Sequence, residues 1–296
     1  MDSVPANEKQ AYRGLLGQDF TDTVIKSMGP KTSPRLREVM TSFIQHIHDF
    51  ARETNLTVDE WAAAVQMINW AGQMSNDSRN EGQLMCDIIG LESLVDDITY
   101  QAAVESNNPA TTSAILGPFW RETPIRKNGT SISSDTPADA KLVFMHGKVS
   151  NASTGAPVAN ATVDIWQAST NGLYEQQDVN QKDHNLRGKF VTDSNGEYSL
   201  YCLRPTPYPV PNDGPSGKLL TLLDRHEWRP AHIHLIVLAE GYKSITTQVF
   251  DRDSKYLEDD SVFAVKEGLT ATFTERKGDP QAKLELVYNI NLAPAS

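Results

Sequence analysis

The segment Arg229-Pro-Ala-His-Ile-His-Leu-Ile-Val-Leu-Ala239 has the alternating pattern of a β-strand. Side chains two positions apart share one face of a strand, so His232 and His234 can reach one point, while the aliphatic side chains between and after them face a core. Two neutral imidazoles in this arrangement commonly bind a metal ion. The pattern equally fits two histidines that alternate by chance on a polar face, so both interpretations stay open.

Short β segments of the same kind fill the second half of the chain. They are residues 143–149, 161–168, 189–192, 198–203, 231–239, 246–250, 270–275 and 283–292. Turn sequences such as Asp193-Ser-Asn-Gly196 separate them. Many short strands with no helices between them favour an antiparallel sandwich or barrel, and we predict a β-sandwich for residues 141–296.

The first hundred residues have a helical period instead. One predicted helical face carries Leu36, Val39, Met40, Phe43, Ile44, Ile47 and Phe50. Ser33-Pro34 begins this helix, a capping box at Thr57–Glu60 begins a second, and a third is expected over residues 79–104. The predicted fold is α+β: a helical domain at 1–106, a turn-rich linker at 107–140, and the sandwich at 141–296.

Composition and charge exclude several classes of protein. The 296-residue chain has a net charge of −11, which argues against binding to nucleic acid or to an anionic membrane. Its two cysteines, Cys86 and Cys202, are too far apart in sequence to suggest a thiolate zinc site or a disulfide framework. No apolar run reaches transmembrane length and the N-terminus lacks the apolar core of a signal peptide, so we expect a cytoplasmic protein.

A metal site needs more donors than two histidines, and tyrosines are the notable candidates. Tyr174 follows an Asn-Gly turn at the end of a strand segment, and Tyr208 lies in the loop Arg204-Pro-Thr-Pro-Tyr-Pro-Val-Pro211. Prolines on both sides hold the backbone of Tyr208 rigid, which suits a fixed ligand. Taken singly, each tyrosine fits a core aromatic better. His46-Ile-His48 serves as a contrast, because residues two apart on a helix cannot converge.

The chain resembles the intradiol ring-cleaving dioxygenases in the order and spacing of four residues. They are Tyr174, Tyr208, His232 and His234, at intervals of 34, 24 and 2 positions. The likeness spans nearly the whole chain and includes the linker motif Leu116-Gly-Pro-Phe119. It implies one Fe(III) per subunit, bound by these four side chains. It also implies insertion of both atoms of O2 into an aromatic diol, between its hydroxyl-bearing carbons.

The resemblance implies roles for further residues. Tyr208 would be the ligand that leaves the metal and takes a substrate proton, Arg229 would stabilise anionic charge on the substrate, and Gln248 would support the site from outside the ligand set. The implied substrate pocket consists of Leu84, Asp87, Leu116, Gly117, Pro118, Phe119, Val210, Arg229 and Val262.

Within the family, the chain is most similar to the hydroxyquinol 1,2-dioxygenases. The linker motif, Gly17-Gln-Asp-Phe-Thr-Asp22 and Pro34-Arg-Leu-Arg-Glu38 carry this likeness. The expected substrate is hydroxyquinol (benzene-1,2,4-triol), giving 3-hydroxy-cis,cis-muconate/maleylacetate, with Asp87 bonded to the extra hydroxyl. The resemblance further implies a homodimer formed by the helical domain, with a lipid at its interface.

Other functions stay open at this point. Catechol or chlorocatechol 1,2-dioxygenase, giving a cis,cis-muconate, is the alternative within the family. A zinc hydrolase using His232 and His234, and a transthyretin-like binding module without activity, lie outside it. An extradiol enzyme is disfavoured, because it needs two histidines and a carboxylate on ferrous iron.

Overall fold

The computed structural model describes residues 16–104 and 110–295, without the side chains of residues 101–104. The chain divides into two compact units with a boundary between Met67 and Ile68. The domain limits expected at residues 106 and 140 stay predictions. None of the described helices is long and apolar enough to cross a membrane.

The first unit is helical, as its sequence period predicts. It contains α1 (Gln18–Lys26), α2 (Pro34–Glu53) and the start of α3 (Val58–Met74). Ser33 caps α2, since its hydroxyl accepts the Leu36 N–H at 3.3 Å. At the start of α3, the Glu60 carboxylate accepts the Thr57 N–H at 2.9 Å, and the Thr57 hydroxyl accepts the Glu60 N–H at 3.3 Å. Both predicted helix starts are therefore confirmed, whereas α1 was not predicted.

The second unit departs from the predicted helices at two places. The single helix expected over residues 79–104 is two helices, α4 (Glu81–Ile88) and α5 (Leu91–Val104). The chain turns between them at Gly90, whose φ of +74° is a conformation that glycine adopts without strain. The expectation of no helices between the strands was also wrong, because α6 (Pro215–Leu222) lies between the strands Tyr208–Pro209 and Trp228–Arg229. Its first residue is a proline, which suits a helix start.

Thirteen strands occur in the described residues. They are β1 (Thr130–Ser131), β2 (Leu142–Asn151), β3 (Thr162–Trp166), β4 (Arg187–Val191), β5 (Glu197–Leu203), β6 (Tyr208–Pro209), β7 (Trp228–Arg229), β8 (His232–Leu238), β9 (Ile245–Asp251), β10 (Thr270–Ala271), β11 (Thr274–Glu275), β12 (Leu284–Val287) and β13 (Ile290–Leu292). One sheet has the order β1-β5-β2-β12-β11, with β13 also paired to β2; the other has the order β10-β9-β8-β3-β4. The predicted α+β sandwich is confirmed. Its pairing is mixed, because β12 and β13 run parallel to β2.

The sandwich core explains why β8 alternates. Ile233, Leu235 and Val237 are fully buried in one cluster with side chains of β2, β3 and β5, including Met145 and Cys202. Because successive side chains of a strand point to opposite faces, this packing directs the two histidines of β8 to the other side of the sheet. The apolar alternation thus fixes where the imidazoles point.

Candidate active site

Strand register assembles a row of four large side chains across the second sheet. Trp166 of β3 lies opposite Arg187 of β4 and opposite His234 of β8, and His234 lies opposite Gln248 of β9. Directly opposed residues present their side chains on the same face. The Trp166 indole stacks on the His234 ring, with ring centroids 4.8 Å apart and planes 10° from parallel.

The four candidate metal ligands converge on this face. The hydroxyl oxygens of Tyr174 and Tyr208 are 3.0 Å apart, and the Tyr208 oxygen is 3.3 Å from Nε2 of His232. The Nε2 atoms of His232 and His234 are 3.1 Å apart. All four side chains are buried. Separations of about 3 Å are those of donor atoms that share one ion at about 2 Å.

The two tyrosines reach the cluster from separate connections. Tyr174 follows Gly172, whose φ is +79°, and a Cβ built there would lie 2.9 Å from Cβ of Tyr208. The missing side chain therefore lets the two connections approach each other closely. Tyr208 forms a β-pair with Arg229, which ties the proline-rich loop to the segment that precedes the histidines.

The imidazoles are held in the neutral form that binds cations. Nδ1 of His232 lies 2.7 Å from the Pro230 carbonyl and donates its proton there, which leaves the Nε2 lone pair for the cluster. Burial, reinforced by the Arg229 charge, holds the pKa of His232 well below its usual value. Burial and the neighbouring His232 do the same to the pKa of His234.

The phenols respond to burial in the opposite direction. Burial and the adjacent Tyr208 raise the pKa of Tyr174 well above its usual value. Burial also raises the pKa of Tyr208, although Arg229 partly offsets the effect. Both side chains therefore stay protonated unless a cation binds, since a bound cation is what displaces such a proton.

Arg229 brings a buried positive charge to the cluster. Its Nε and Nη2 each donate to the Asp260 carboxylate at 3.1 Å, and Nη2 also donates to Oε1 of Gln248 at 3.0 Å. Burial, the largest single influence, would lower the pKa of Arg229, but Asp260 together with Tyr208 and Tyr174 outweighs it and the pKa is raised. Gln248 is held in turn by the Ile115 carbonyl, which accepts from its Nε2 at 2.8 Å.

Comparison with known proteins identifies the family of the chain. The family model described as Dioxygenase matches residues 115–294, and the one described as Catechol dioxygenase N terminus matches residues 33–107. The chain belongs to the intradiol ring-cleavage dioxygenase family. It is therefore an oxidoreductase, which sets aside both the zinc hydrolase and the binding module.

The names of proteins similar to this dioxygenase include both candidate substrates, catechol and hydroxyquinol. The chain is 48% identical to intradiol ring-cleavage dioxygenase prcA of Aspergillus niger, over 93% of this chain and 88% of the relative. It is 45% identical to catechol 1,2-dioxygenase of Candida albicans, over 95% and 94%. The solved hydroxyquinol 1,2-dioxygenase of Pseudomonas putida DLL-E4 superimposes with a TM-score of 0.82 at 31% identity, covering 94% of this chain and 98% of that one.

The predicted pocket residues of the dioxygenase fall into two apolar groups. Leu84, Val210 and Val262 are buried in one cluster. Phe119 is buried in another cluster with Tyr174 and Tyr208, and Leu116 packs against it. Phe119 stacks on the Tyr174 ring at a centroid distance of 4.5 Å.

Gly117 and Pro118 complete the linker part of the predicted pocket. Gly117 has a φ of +71°, and a Cβ built there would meet Cε1 of His234 at 3.4 Å. The positive φ favours glycine at this position, where the linker lies against one candidate ligand. Pro118, the next residue, is half-buried.

Asp87 is the polar member of the predicted pocket. Its side chain lies on α4, the residue is 1% exposed, and Oδ1 has no hydrogen-bond partner among the described residues. Burial and a hydrogen bond to Glu92 raise the pKa of Asp87 to about 9. The carboxyl is thus neutral at pH 7, where it can both donate and accept a hydrogen bond.

Sequence reasoning missed several buried partners of the site. Asp260 follows two other acids, Glu258 and Asp259, and nothing in this run distinguishes it. Trp166 and Arg187 gave no signal either, because only strand register brings them beside His234.

The sequence analysis also missed a cluster of two acids and one histidine that begins next to Tyr174. Ligand atoms of Glu175, Asp183 and His184 lie within 4.8 Å of one another. Glu175 already pairs with Arg187 at 2.6 Å and Arg121 at 3.2 Å. Two arginine charges at this position disfavour a cation there.

Proposed function

We propose that this dioxygenase binds one ferric ion through Tyr174, Tyr208, His232 and His234 and cleaves hydroxyquinol between its adjacent hydroxyl-bearing carbons. The expected product is 3-hydroxy-cis,cis-muconate/maleylacetate. The convergence of two phenol oxygens and two imidazole nitrogens at spacings of 3.0–3.3 Å carries the proposal. We also propose that the helical domain ends at residue 106 and that the linker ends at residue 140.

The donor set fits ferric iron. Phenolates are hard anionic donors that stabilise the higher oxidation state, and neutral imidazoles suit iron as well. A ferric ion with two phenolates and one hydroxide would form a centre without net charge, which suits a buried site. When bound, ferric iron would act as a Lewis acid that activates the diol toward O2.

The protein's own groups bind the substrate and move its protons. The hydroxyl oxygen of Tyr208, which lies beside the Tyr174 oxygen and Nε2 of His232 in the cluster, is the proposed acceptor for one substrate proton once a bound cation has displaced its own. The buried guanidinium of Arg229 stabilises the negative charge that develops on the ring. Gln248 keeps that guanidinium in place. Phe119 and the aliphatic pocket residues exclude water.

Asp87 supports hydroxyquinol as the substrate. A buried neutral carboxyl with an unpartnered oxygen suits a third ring hydroxyl, which is both a donor and an acceptor. Asp87 is also near enough to Arg229 for the two side chains to interact electrostatically, which relates it to the metal cluster. A site built to pair a hydroxyl discriminates strongly against an analogue that lacks it.

Catechol is the second candidate substrate. The 45% identity to the catechol 1,2-dioxygenase of Candida albicans favours it. Catechol lacks the third hydroxyl, so it would leave Asp87 without the bond proposed above. The reaction and its ligands are the same for both diols.

Oxygen uptake with hydroxyquinol and catechol, measured side by side, tests the proposal. A Tyr208→Phe protein and an enzyme-free blank correct for the autoxidation of hydroxyquinol. Fast uptake with hydroxyquinol and little with catechol is expected. The reverse would move the assignment to catechol, and no enzyme-dependent uptake by iron-loaded protein would refute both.

We also propose that the helical unit forms a homodimer. Leu36, Phe43 and Phe50 lie on one face of α2 and are more than half exposed, at 52%, 55% and 54%. A second copy would bury this apolar face. Light scattering should give twice the chain mass, and a single-chain mass would contradict the dimer. Native mass spectrometry tests whether a lipid accompanies it.

A further inference from the structure

We propose that Asp260 is a positioning residue that fixes the Arg229 guanidinium for the ring-cleavage reaction. The inference rests on the role proposed above for Arg229. Asp260 is not one of the candidate ligands or pocket residues, and it acts on the reaction only through the arginine. Asp260 contributes by orienting the guanidinium, because two parallel hydrogen bonds fix both its plane and its direction.

The contact between the two residues is a buried two-point ion pair. Oδ1 of Asp260 accepts from Nε of Arg229, and Oδ2 accepts from Nη2, each at 3.1 Å. The two side chains are 4% and 2% exposed. Paired bonds of this type fix the rotation of the guanidinium as well as its position, which a single bond does not do.

Asp260 is itself held rigidly by the backbone that follows it. Its Oδ1 accepts the Val262 N–H at 3.3 Å, and its Oδ2 accepts the Ala264 N–H at 3.1 Å. The Asp260 carbonyl accepts the Phe263 N–H at 3.0 Å, which closes a tight turn. The carboxylate therefore offers the arginine a fixed partner, and Val262 in the same turn belongs to the predicted substrate pocket.

These bonds leave one nitrogen of Arg229 to face the cluster. Nε is used by Asp260, and Nη2 is shared between Asp260 and Gln248. Nη1 lies 3.1 Å from Nε2 of His232. Once that imidazole nitrogen binds a cation, the hydrogens of Nη1 are available to the diol. Asp260 thus determines which edge of the guanidinium meets the substrate.

The first test is Asp260→Asn in the iron-loaded protein, assayed with whichever diol the wild type cleaves faster. The kcat should fall about 10- to 100-fold, as expected when a group that orients a site residue is removed. The KM should change less than about 3-fold, because the charge that Arg229 stabilises develops after binding. The visible absorption of the iron–phenolate site and the iron content should not change.

Asp279→Asn is the matched control. Asp279 accepts from Nε of Arg276 at 2.8 Å and from the N–H groups of Gln281 and Ala282 at 2.8 and 3.3 Å. It therefore repeats the arginine pair and the backbone contacts of Asp260 without touching the site. This variant should lose stability and keep its kcat.

A double-mutant cycle separates positioning from a structural role. In an Arg229→Leu background, Asp260→Asn should cause no further loss of kcat and no further change in anaerobic binding of 4-nitrocatechol, followed by its absorbance. Equal losses in both backgrounds would overturn the inference, as would an unchanged kcat in Asp260→Asn. An Arg229→Leu enzyme with normal kcat would instead refute the role proposed for Arg229.

Asp260→Glu covers the case in which Asp260→Asn does not yield folded protein. Glutamate keeps the charge but moves the carboxylate one methylene further along the chain, which displaces the guanidinium. The same selective loss of kcat is expected. Full activity in Asp260→Glu would contradict the proposed need for a fixed geometry.

Discussion

The hydroxyl oxygens of Tyr174 and Tyr208 lie 3.0 Å apart, although 34 residues separate them in the chain. The rings meet edge to face, with planes at 85° and centroids 5.6 Å apart. This approach depends on Gly172, because a side chain there would collide with Cβ of Tyr208. Two buried phenols held in this way form a site whose protons a cation can displace.

Replacing Tyr208 by phenylalanine should abolish most of the activity while the protein keeps its iron. Three of the four candidate ligands remain, but the proposed proton acceptor is lost, so we expect kcat to fall about 100- to 10,000-fold. Oxygen uptake and iron content measure the two effects. Tyr201→Phe, which removes only a hydrogen bond of 3.0 Å to Asp279, should remain active. Comparable kcat in the Tyr208 variant would exclude it as the acceptor.

Replacing Asp87 by alanine should change substrate preference. Loss of a hydrogen bond between a buried group and the third hydroxyl is worth about 1–3 kcal/mol. We therefore expect kcat/KM to fall about 5- to 150-fold for hydroxyquinol and far less for catechol. The ratio of kcat/KM for hydroxyquinol to that for catechol serves as the control, because damage to the iron site would lower both values equally. An equal loss with both diols would eliminate Asp87 as the source of specificity.

The stability of the metal-free protein should depend on pH through Asp87. Its pKa is about 9 in the folded protein against an ordinary value of 3.8. Between these values the unfolded chain releases a proton that the folded chain keeps, so stability falls as pH rises. Asp87→Asn removes this loss and should raise Tm relative to the wild type increasingly from about pH 4 to pH 9. Calorimetry at several pH values measures it.

The control for that experiment is Asp97→Asn, which removes an acid whose side chain is 70% exposed. It accounts for the general effect of changing net charge. A Tm difference between Asp87→Asn and the wild type that stays constant with pH would mean that Asp87 ionises in the folded protein as it does in the unfolded chain.

Shortening Trp166 should weaken iron binding. Nδ1 of His234 has no hydrogen-bond partner among the described residues, so the orientation of this ring depends on the stacked indole. Trp166→Leu removes the stack, and we expect iron affinity to fall about 10- to 100-fold. Trp166→Phe keeps an aromatic ring and should lose less. Competition with a chelator measures the affinity, and similar values for both variants would contradict the stacking argument.

Local patterns in the sequence determined the elements that carry the site. The alternation of β8 predicted both the buried face with Ile233 and the opposite face with His232 and His234, because side chains of a strand alternate. Capping residues predicted where α2 and α3 begin. The order and intervals of the four candidate ligands also led to the family that the comparisons confirmed.

Only the tertiary structure decided which distant groups surround those ligands. Register between β3, β4 and β8 set Trp166 and Arg187 beside His234, and a turn after β9 brought Asp260 to Arg229. Such contacts depend on which strands pair and how loops return, and a periodic pattern along one segment contains no information about either. The sequence by itself therefore determined the main helices and strands and the candidate ligands, whereas packing decided the electrostatic surroundings in which those ligands work.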